Sequence, residues 1–406
     1  MSAERPFEVA IAGGAVVGAA LARALRGTRV ALISPETRPP RTDAAANAPD
    51  FDARVNRGFD TRVYAISPGN AAFLAQLGAW GAIPEARRTP VHAMRVYGDD
   101  GASLIEFDAY RSGCSELAWI VEDRLLQDAL WRGLENQDGL SLVSGSSIQE
   151  LEIAETQASL LLEDGRTLGA RLVAGADGAR SLVREQTGIP SEQHAYAQTA
   201  VVANFACGRP HRNIALQWFQ GGRKEGAVLA LLPLPGNHVS IVWSVGNAEA
   251  SRLLALDARG LAREVAAASC HALGGLDLVT PPRGFPLQRL VAQRLVAPRI
   301  ALLGDAAHVI HPLAGQGANL GLQDARMLAA TIGGREPGRD PGELRLLRRY
   351  ERARAEDILA MRAAVHGLFR LFDAKGARVA QLRNAGLNFA DRIPVLKNLL
   401  MRHAMD

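Results

Sequence analysis

Residues 299–325, RIALLGDAAHVIHPLAGQGANLGLQDA, constrain this chain more than any other stretch. They read as a strand (Ile300 to Leu303), a Gly304-Asp305 turn, a glycine-rich loop (His311 to Gly317) and a helix opening near Asn319. Packing alone does not call for so many glycines beside an Asp and an Asn. A cofactor does. A strand ending in Gly-Asp aims one carboxylate at a polyol, and a helix N-terminus offers free backbone N–H groups and partial positive charge to anionic oxygens. Gly315 and Gly317 let the backbone approach a flat ring where a Cβ would collide.

The N-terminus has the matching architecture. FEVAIAGGAVVGAALARAL divides into a strand (Phe7 to Ala12), a turn that includes Gly13 and Gly14, and a helix from about Val17. The spacing Gly13-x-Ala15-x-x-Gly18 is the dinucleotide fingerprint with Ala at its middle position. The first glycine makes the tight turn, and the last lets helix and strand pack closely. The competing reading is a glycine-rich packing turn, but the strand–turn–helix context and a second strand (Arg29 to Ile33) favour a nucleotide site. The acid expected to hold an adenosine ribose is replaced by Ser34, with Glu36 two residues on as its substitute.

Between these ends the chain changes character. A long aperiodic connection (Arg38 to Gly58) leads into DTRVYAIS, where Arg62 and Tyr64 flank the entry to a helix from Pro68 to Leu77. MRVYGDDGASLIEF reads as a hairpin. Asp123 and Arg124 open an amphipathic helix, where they either meet a cofactor or cap the helix. A second hairpin ends in Asp177-Gly178, followed by Arg180, Ser181 and Arg184, a candidate phosphate-facing loop. From Gln198 to Val245 short β-branched and aromatic runs predict an antiparallel sheet, with Pro233 and Pro235 ending or bending a strand. Trp218, Phe219 and Trp243 are candidates for a pocket wall, against the plainer reading of ordinary core. One helix is expected from about Leu253 to Leu273, another to about Ile332, and a long amphipathic helix beyond residue 343.

Composition excludes several classes. With 48% hydrophobic and 22% charged residues a large core is expected and wholesale disorder is not. The net charge of +4 comes from dispersed arginines without a dense basic block, so nucleic acid is not an expected partner. Three scattered cysteines form no CxxC pair, which suggests a reducing compartment, here cytoplasmic, and neither a disulfide framework nor a zinc site. His308 and His311 have zinc-like spacing but no third ligand nearby, so they read as structural and no metal is expected. No signal peptide is expected before a first strand that starts by Phe7. The apolar run Val9 to Ala22 falls short of the roughly 20 residues that span a bilayer. The tail DRIPVLKNLLMRHAM, with Arg392, Lys397 and Arg402 behind its apolar residues, either packs on its own domain or lies on a membrane surface.

A Gly fingerprint, an Asp-Gly and a Gly-Asp in this order resemble the group A flavoprotein aromatic hydroxylases, the fold of para-hydroxybenzoate hydroxylase. HPLAGQGANLGLQD (His311 to Asp324) looks like the signature of the ubiquinone-biosynthesis hydroxylases of the UbiH/UbiF/VisC type, and RVYAIS, YERAR and IPVLKN resemble that family too. Ala15 and Ser34 depart from the pattern.

The resemblance implies an α/β chain. A Rossmann-like FAD-binding domain (1–185, lending strands near 90–115 to the substrate domain, and 297–335) would carry an inserted antiparallel β-sheet substrate domain (186–296) and a C-terminal helical region (336–406). It implies FAD as cofactor and NAD(P)H as co-substrate. Asp305 would bond the ribityl chain, and Gly317, Ala318 and Asn319 would face the pyrimidine end of the flavin. Asp177 and Gly178 would lie where pyrophosphate and NAD(P)H meet, and Arg62 near flavin and nicotinamide. Pro312 and its neighbour Gln316 would border the oxygen-reactive face. Tyr64 is the one candidate base. The implied reaction is hydroxylation of a lipid-like phenol with O2, alongside other ubiquinone-biosynthesis proteins and with peripheral contact at the inner membrane. Two rivals are an FAD-dependent dehydrogenase or epoxidase on another apolar substrate, and a non-catalytic flavin-bound accessory subunit.

Overall fold

The computed structural model describes residues 5–36, 58–98, 103–220, 227–309, 317–356 and 358. The expected loop Arg38–Gly58 (apart from Gly58), the glycine loop 310–316 and the tail beyond residue 358 lie outside the described residues.

Three sheets organise the described chain. The first is parallel at its centre, with strands in the order Ile300–Leu302, Thr167–Gly175, Phe7–Ala12, Val30–Ser34 and Leu140–Ser144. Phe7–Ala12 and Val30–Ser34 are buried almost without interruption, as expected for a parallel sheet covered on both faces. The helix Val16–Ala24 packs against the helix Gly317–Gly333. The hairpin Ile148–Ile153/Ala158–Leu162 extends the sheet antiparallel from Thr167–Gly175.

The second sheet is antiparallel apart from one pair. Its order is His308–Val309, Arg283–Ala292, Ser191–Cys207, His238–Gly246, Ala227–Leu234, Ile214–Gln220, Ala93–Tyr97 and Leu104–Asp108, with Ala93–Tyr97 running parallel to Ile214–Gln220. The expected hairpin around residues 94–107 is therefore built into this sheet. As expected, a strand ends between Pro233 and Pro235, although Pro233 itself still lies within it. It pairs with Val239 in the sheet interior, and the strand ends one residue later at Leu234.

The third sheet is small: Val63–Ile66, Ala118–Glu122 and Thr89–Val91. It packs on one face of the second sheet, where Met94, Ala215, Leu232 and Leu234 meet Val63, Ala65, Val91 and Ile120. The opposite face, carrying Val201, Trp218, Leu229 and Trp243, is covered by two helices, Asn247–Leu254 and Ala258–Ala268. The sequence suggested one helix here. The break arises because Asp257 accepts a hydrogen bond from the Gly260 backbone N–H at 2.7 Å and so caps a fresh helix start.

Candidate functional site

Register places three motifs side by side. Ala12 pairs with Gly175 and Gly175 with Leu302, so three neighbouring parallel strands end level. Backbone bonds continue the lacing past those ends: Gly13 N–H to Ile33 O, Ala176 N–H to Ala12 O, and Leu303 N–H to Gly175 O, all at 2.8–2.9 Å. Gly13, Asp177 and Gly304-Asp305 thus share the carboxyl edge of the sheet, where open α/β folds bind ligands.

The first turn is a cradle with no room for side chains beneath it. Gly13 has φ +103°, and a Cβ there would lie 2.3 Å from the Ala176 carbonyl oxygen. A Cβ on Gly18 would strike the Gly13 carbonyl. Gly14 sits over Ser34 and Trp131, and Trp131 Nε1 donates to Gly14 O at 2.8 Å. Ser34 is buried under the turn, while Glu36 is exposed at the end of its strand. The Ala15 methyl is exposed. The helix Val16–Ala24 has no side-chain cap and no acidic residue in its first turn, which leaves its N-terminal amides to an external anion.

In the second motif, Asp177 Oδ2 accepts the Val183 N–H at 3.1 Å, and its Oδ1 is buried without a hydrogen-bond partner. Gly178 has φ +82°. Arg184 is buried and donates to Ala179 O and Ala306 O, so it ties this loop to the third motif.

The third motif is held from behind. Gly304 adopts φ +55° and its N–H donates to Asp324 Oδ2 at 2.9 Å. The same oxygen pairs with His308 Nε2 at 2.7 Å, and Asp324 Oδ1 accepts Arg354 Nε at 2.7 Å. Burial alone would raise the Asp324 pKa, but His308 and Arg354 outweigh it and hold the carboxyl below its usual range. Burial opposes charge on His308 too, yet Asp324 raises its pKa. Asp305 itself is open to solvent. Burial raises its pKa, against the opposing pull of Arg62 and His308.

Arg62 and Tyr64 lie within electrostatic reach of both Asp123 and Asp305. Arg62 lies 5.3 Å from the Tyr64 ring centroid. Its own burial would lower its pKa, but Tyr64, Asp123 and Asp305 more than offset this and it stays cationic. Tyr64 is hydrogen-bonded to Asp123, and burial pushes its pKa up. Burial and the neighbouring Asp123 both favour the protonated phenol. Asp123 also accepts from Gln127 Nε2. The Arg124 backbone N–H donates to Asp60 and its side chain is half exposed. On the helix opened by Gly317 and Ala318, the Asn319 side chain accepts from Ser67 N–H at 3.0 Å and donates to Ala65 O at 2.8 Å. Pro312, Gly315 and Gln316 lie outside the described residues.

Trp218 and Trp243 belong to the helix-facing core, with Trp218 stacked on Tyr97 at 5.1 Å. They are not part of a wall facing the motifs. Phe219 has the opposite orientation by strand alternation. That second face carries Asn204, whose Nδ2 donates to Asp60 O, and beside it Ala200, Val202, Val242 and Leu287.

Asp324 and Arg354 were not singled out from sequence as site residues, His308 was read as merely structural, and Arg184, expected on a phosphate-facing loop, is instead buried and bonded to backbone oxygens. The available signal was a charged residue on an otherwise apolar helix face, as at Asp324 between Leu320 and Leu328.

The structure fits a dinucleotide with a polyol arm. It offers a cradle that tolerates no Cβ, uncapped amides, an unpartnered Asp177 oxygen and an exposed carboxylate at a strand end. Among the described residues no group of three or more His, Cys, Asp or Glu could hold a metal ion. No described helix is long and apolar enough to cross a membrane.

The family model of the "FAD binding domain" matches residues 74–363. The chain is 36% identical to the ubiquinone hydroxylase UbiL of Rhodospirillum rubrum, covering 100% of this chain and 90% of that one. It is 33% identical to the 3-demethoxyubiquinol 3-hydroxylase of Escherichia coli, covering 99% of each. Among solved structures, p-nitrophenol 4-monooxygenase PnpA of Pseudomonas putida has the same fold, with TM-score 0.76 at 18% identity over 99% of each chain.

Proposed function

The chain belongs to the FAD-binding-domain family and, within it, to the ubiquinone-biosynthesis hydroxylases it matches along its whole length; from that premise we propose that it hydroxylates the ring of a polyprenylated phenol. It is an FAD-dependent monooxygenase that uses NAD(P)H and O2.

Bound FAD supplies the redox chemistry, taking up reducing equivalents from NAD(P)H and activating O2. The protein binds, orients and excludes water. In this reading the Gly13–Gly18 turn and the amides after Ala15 hold the pyrophosphate, and Glu36 reaches the adenosine ribose with Ser34 supporting the turn. Asp305 accepts from the ribityl chain. Asp177 and Gly178 form the second phosphate-facing edge. Arg62 keeps a fixed positive charge beside flavin and nicotinamide, with Asp123 and Arg124 shaping its surroundings. Gly317 to Asn319 present backbone to the flavin edge, and the oxygen-reactive face is assigned to Pro312, Gly315 and Gln316 from their sequence motif alone. The substrate lies against Ala200, Val202, Val242 and Leu287, an aliphatic surface suited to an apolar phenol. We divide the chain at residues 185, 296 and 335, as its sequence suggested.

The observation that carries the reading is the level ending of three adjacent strands, each with its own Gly/Asp motif. Purified protein given NAD(P)H, O2 and a short-chain prenylated phenol is expected to release hydroxylated product with matching oxygen uptake. Cofactor oxidation without oxygen uptake would instead establish a dehydrogenase, and a bound flavin that NAD(P)H does not reduce would establish an accessory subunit. Contact with the inner-membrane surface through the tail, and with other proteins of the pathway, is part of the proposal. Removing residues 391–406 is expected to move the protein from the membrane to the soluble fraction, and an unchanged distribution counts against that contact.

A further inference from the structure

We infer that Asp324 and Arg354 are positioning residues for the Gly304–Asp305 turn, so that FAD retention is governed from the C-terminal helix. The inference rests on the reading that this turn holds FAD.

Three side chains bond the backbone on and around the turn. Tyr350 Oη donates to Leu302 O at 2.9 Å, just before the turn. Arg184 Nη1 donates to Ala306 O at 2.9 Å, just after it. Asp324 takes the Gly304 N–H between them. Tyr350 and Arg354 both come from the helix of residues 344–356, and Glu351 of that helix accepts the Leu295 N–H at 2.9 Å. Among the described residues, no hydrogen bond from protein reaches the Asp305 carboxylate. Among the described residues, the support therefore fixes the backbone without engaging the carboxylate in a hydrogen bond.

The chemistry of the cluster argues against a purely packing role. Asp324, His308 and Arg354 are 0%, 3% and 2% exposed. Burying three ionisable groups costs free energy that apolar side chains of similar volume would avoid. A hydrocarbon at 324, however, would leave the Gly304 N–H buried and unpaired. A carboxylate there needs cations to remain charged, and His308 and Arg354 provide them. Arg354 also reaches Gln323 Oε1 at 3.1 Å and Leu320 O at 3.4 Å, which sets its angle on Asp324. The groups facing His308 are Asp324 and Arg354 from two helices and Asp305 from its own turn. Arg354 thus acts on the flavin turn through Asp324, without touching the ligand.

The test compares wild-type, Arg354→Met, Arg354→Lys and Asp324→Asn apoproteins at a temperature well below each unfolding midpoint. FAD is titrated and followed by quenching of its fluorescence. Arg354→Met and Asp324→Asn are expected to weaken FAD binding about tenfold or more, while Arg354→Lys, which keeps the charge, stays within about threefold. At saturating FAD the first two are expected to shift the visible circular dichroism of the flavin, and the Lys variant is not. Folded Arg354→Met that binds FAD as wild type does would overturn the inference. If that variant does not fold, Asp324→Asn decides by the same criterion. Wild-type protein that binds no FAD would refute the cofactor reading itself, a different result from tight wild-type binding with indifferent variants.

Discussion

Asp305→Ala is expected to purify with little of its FAD. A hydrogen bond to a charged group is worth about 1.5–3 kcal/mol, which corresponds to roughly ten- to more than hundredfold in affinity. The readout is the 450 nm absorbance per protein, and a full complement of flavin in the variant would remove Asp305 from the ribityl contact. Misfolding can be separated from lost binding by a sign argument. Burial raises the Asp305 pKa. A carboxyl whose pKa rises on folding adds stability only while protonated, and that contribution is lost as pH rises through the folded pKa. At neutral pH the ionised group is therefore a net cost to the apoprotein. Asp305→Ala apoprotein should unfold at the same temperature as wild type or higher, while its holoprotein gains less from added FAD.

Gly13→Ala is expected to be more damaging, because it strikes backbone. At φ +103° an L side chain is strained, and the added methyl would sit 2.3 Å from the Ala176 carbonyl oxygen and 2.7 Å from its carbon. Neither can yield without parting the strands Phe7–Ala12 and Thr167–Gly175. Strain of about 1–3 kcal/mol and overpacking of about 1–3 kcal/mol take a large share of a typical 5–15 kcal/mol stability. The expected outcome is little soluble protein and no bound flavin. Gly27→Ala is the control: its φ is +76° with nothing within 4 Å of the new Cβ, so only the milder conformational cost applies. If Gly13→Ala accumulated and bound FAD as well as Gly27→Ala, the close approach at the cradle would not be a real constraint.

The parts of the site legible in the sequence are those where backbone geometry dictates residue type. Gly13, Gly18, Gly178 and Gly304 stand out because few other residues fit their turns, and each turn follows a recognisable strand. The support behind the third motif was not legible. His308 and Asp324 are 16 residues apart and Arg354 lies 30 further on, so only the folded chain brings them together. Taken singly, only Asp324 stands out, as a charge on an apolar helix face. The aromatics of the second sheet misled for a related reason. Strands buried on both faces lose the alternation that tells inside from outside, so Trp218 and Phe219 are indistinguishable until the helices that cover one face are placed. The helix break at Asp257 was written in its Asp-Ala-Arg-Gly start, but an apolar period on both sides masked it.

The strand order of the first sheet has a consequence for biosynthesis. Phe7–Ala12 lies beside Thr167–Gly175, and that strand takes its next neighbour from Ile300–Leu302. A nascent chain therefore makes its nucleotide turn first and must carry it incomplete for most of translation. No N-terminal fragment ending before residue 305 contains all three motifs, and their pairing depends on long loop closures, which are slow to form and leave apolar strand edges exposed meanwhile. FAD can engage the whole site only after the last neighbouring strand has left the ribosome, so the cofactor arrives as a late ligand that captures the assembled sheet and cannot template it from the start.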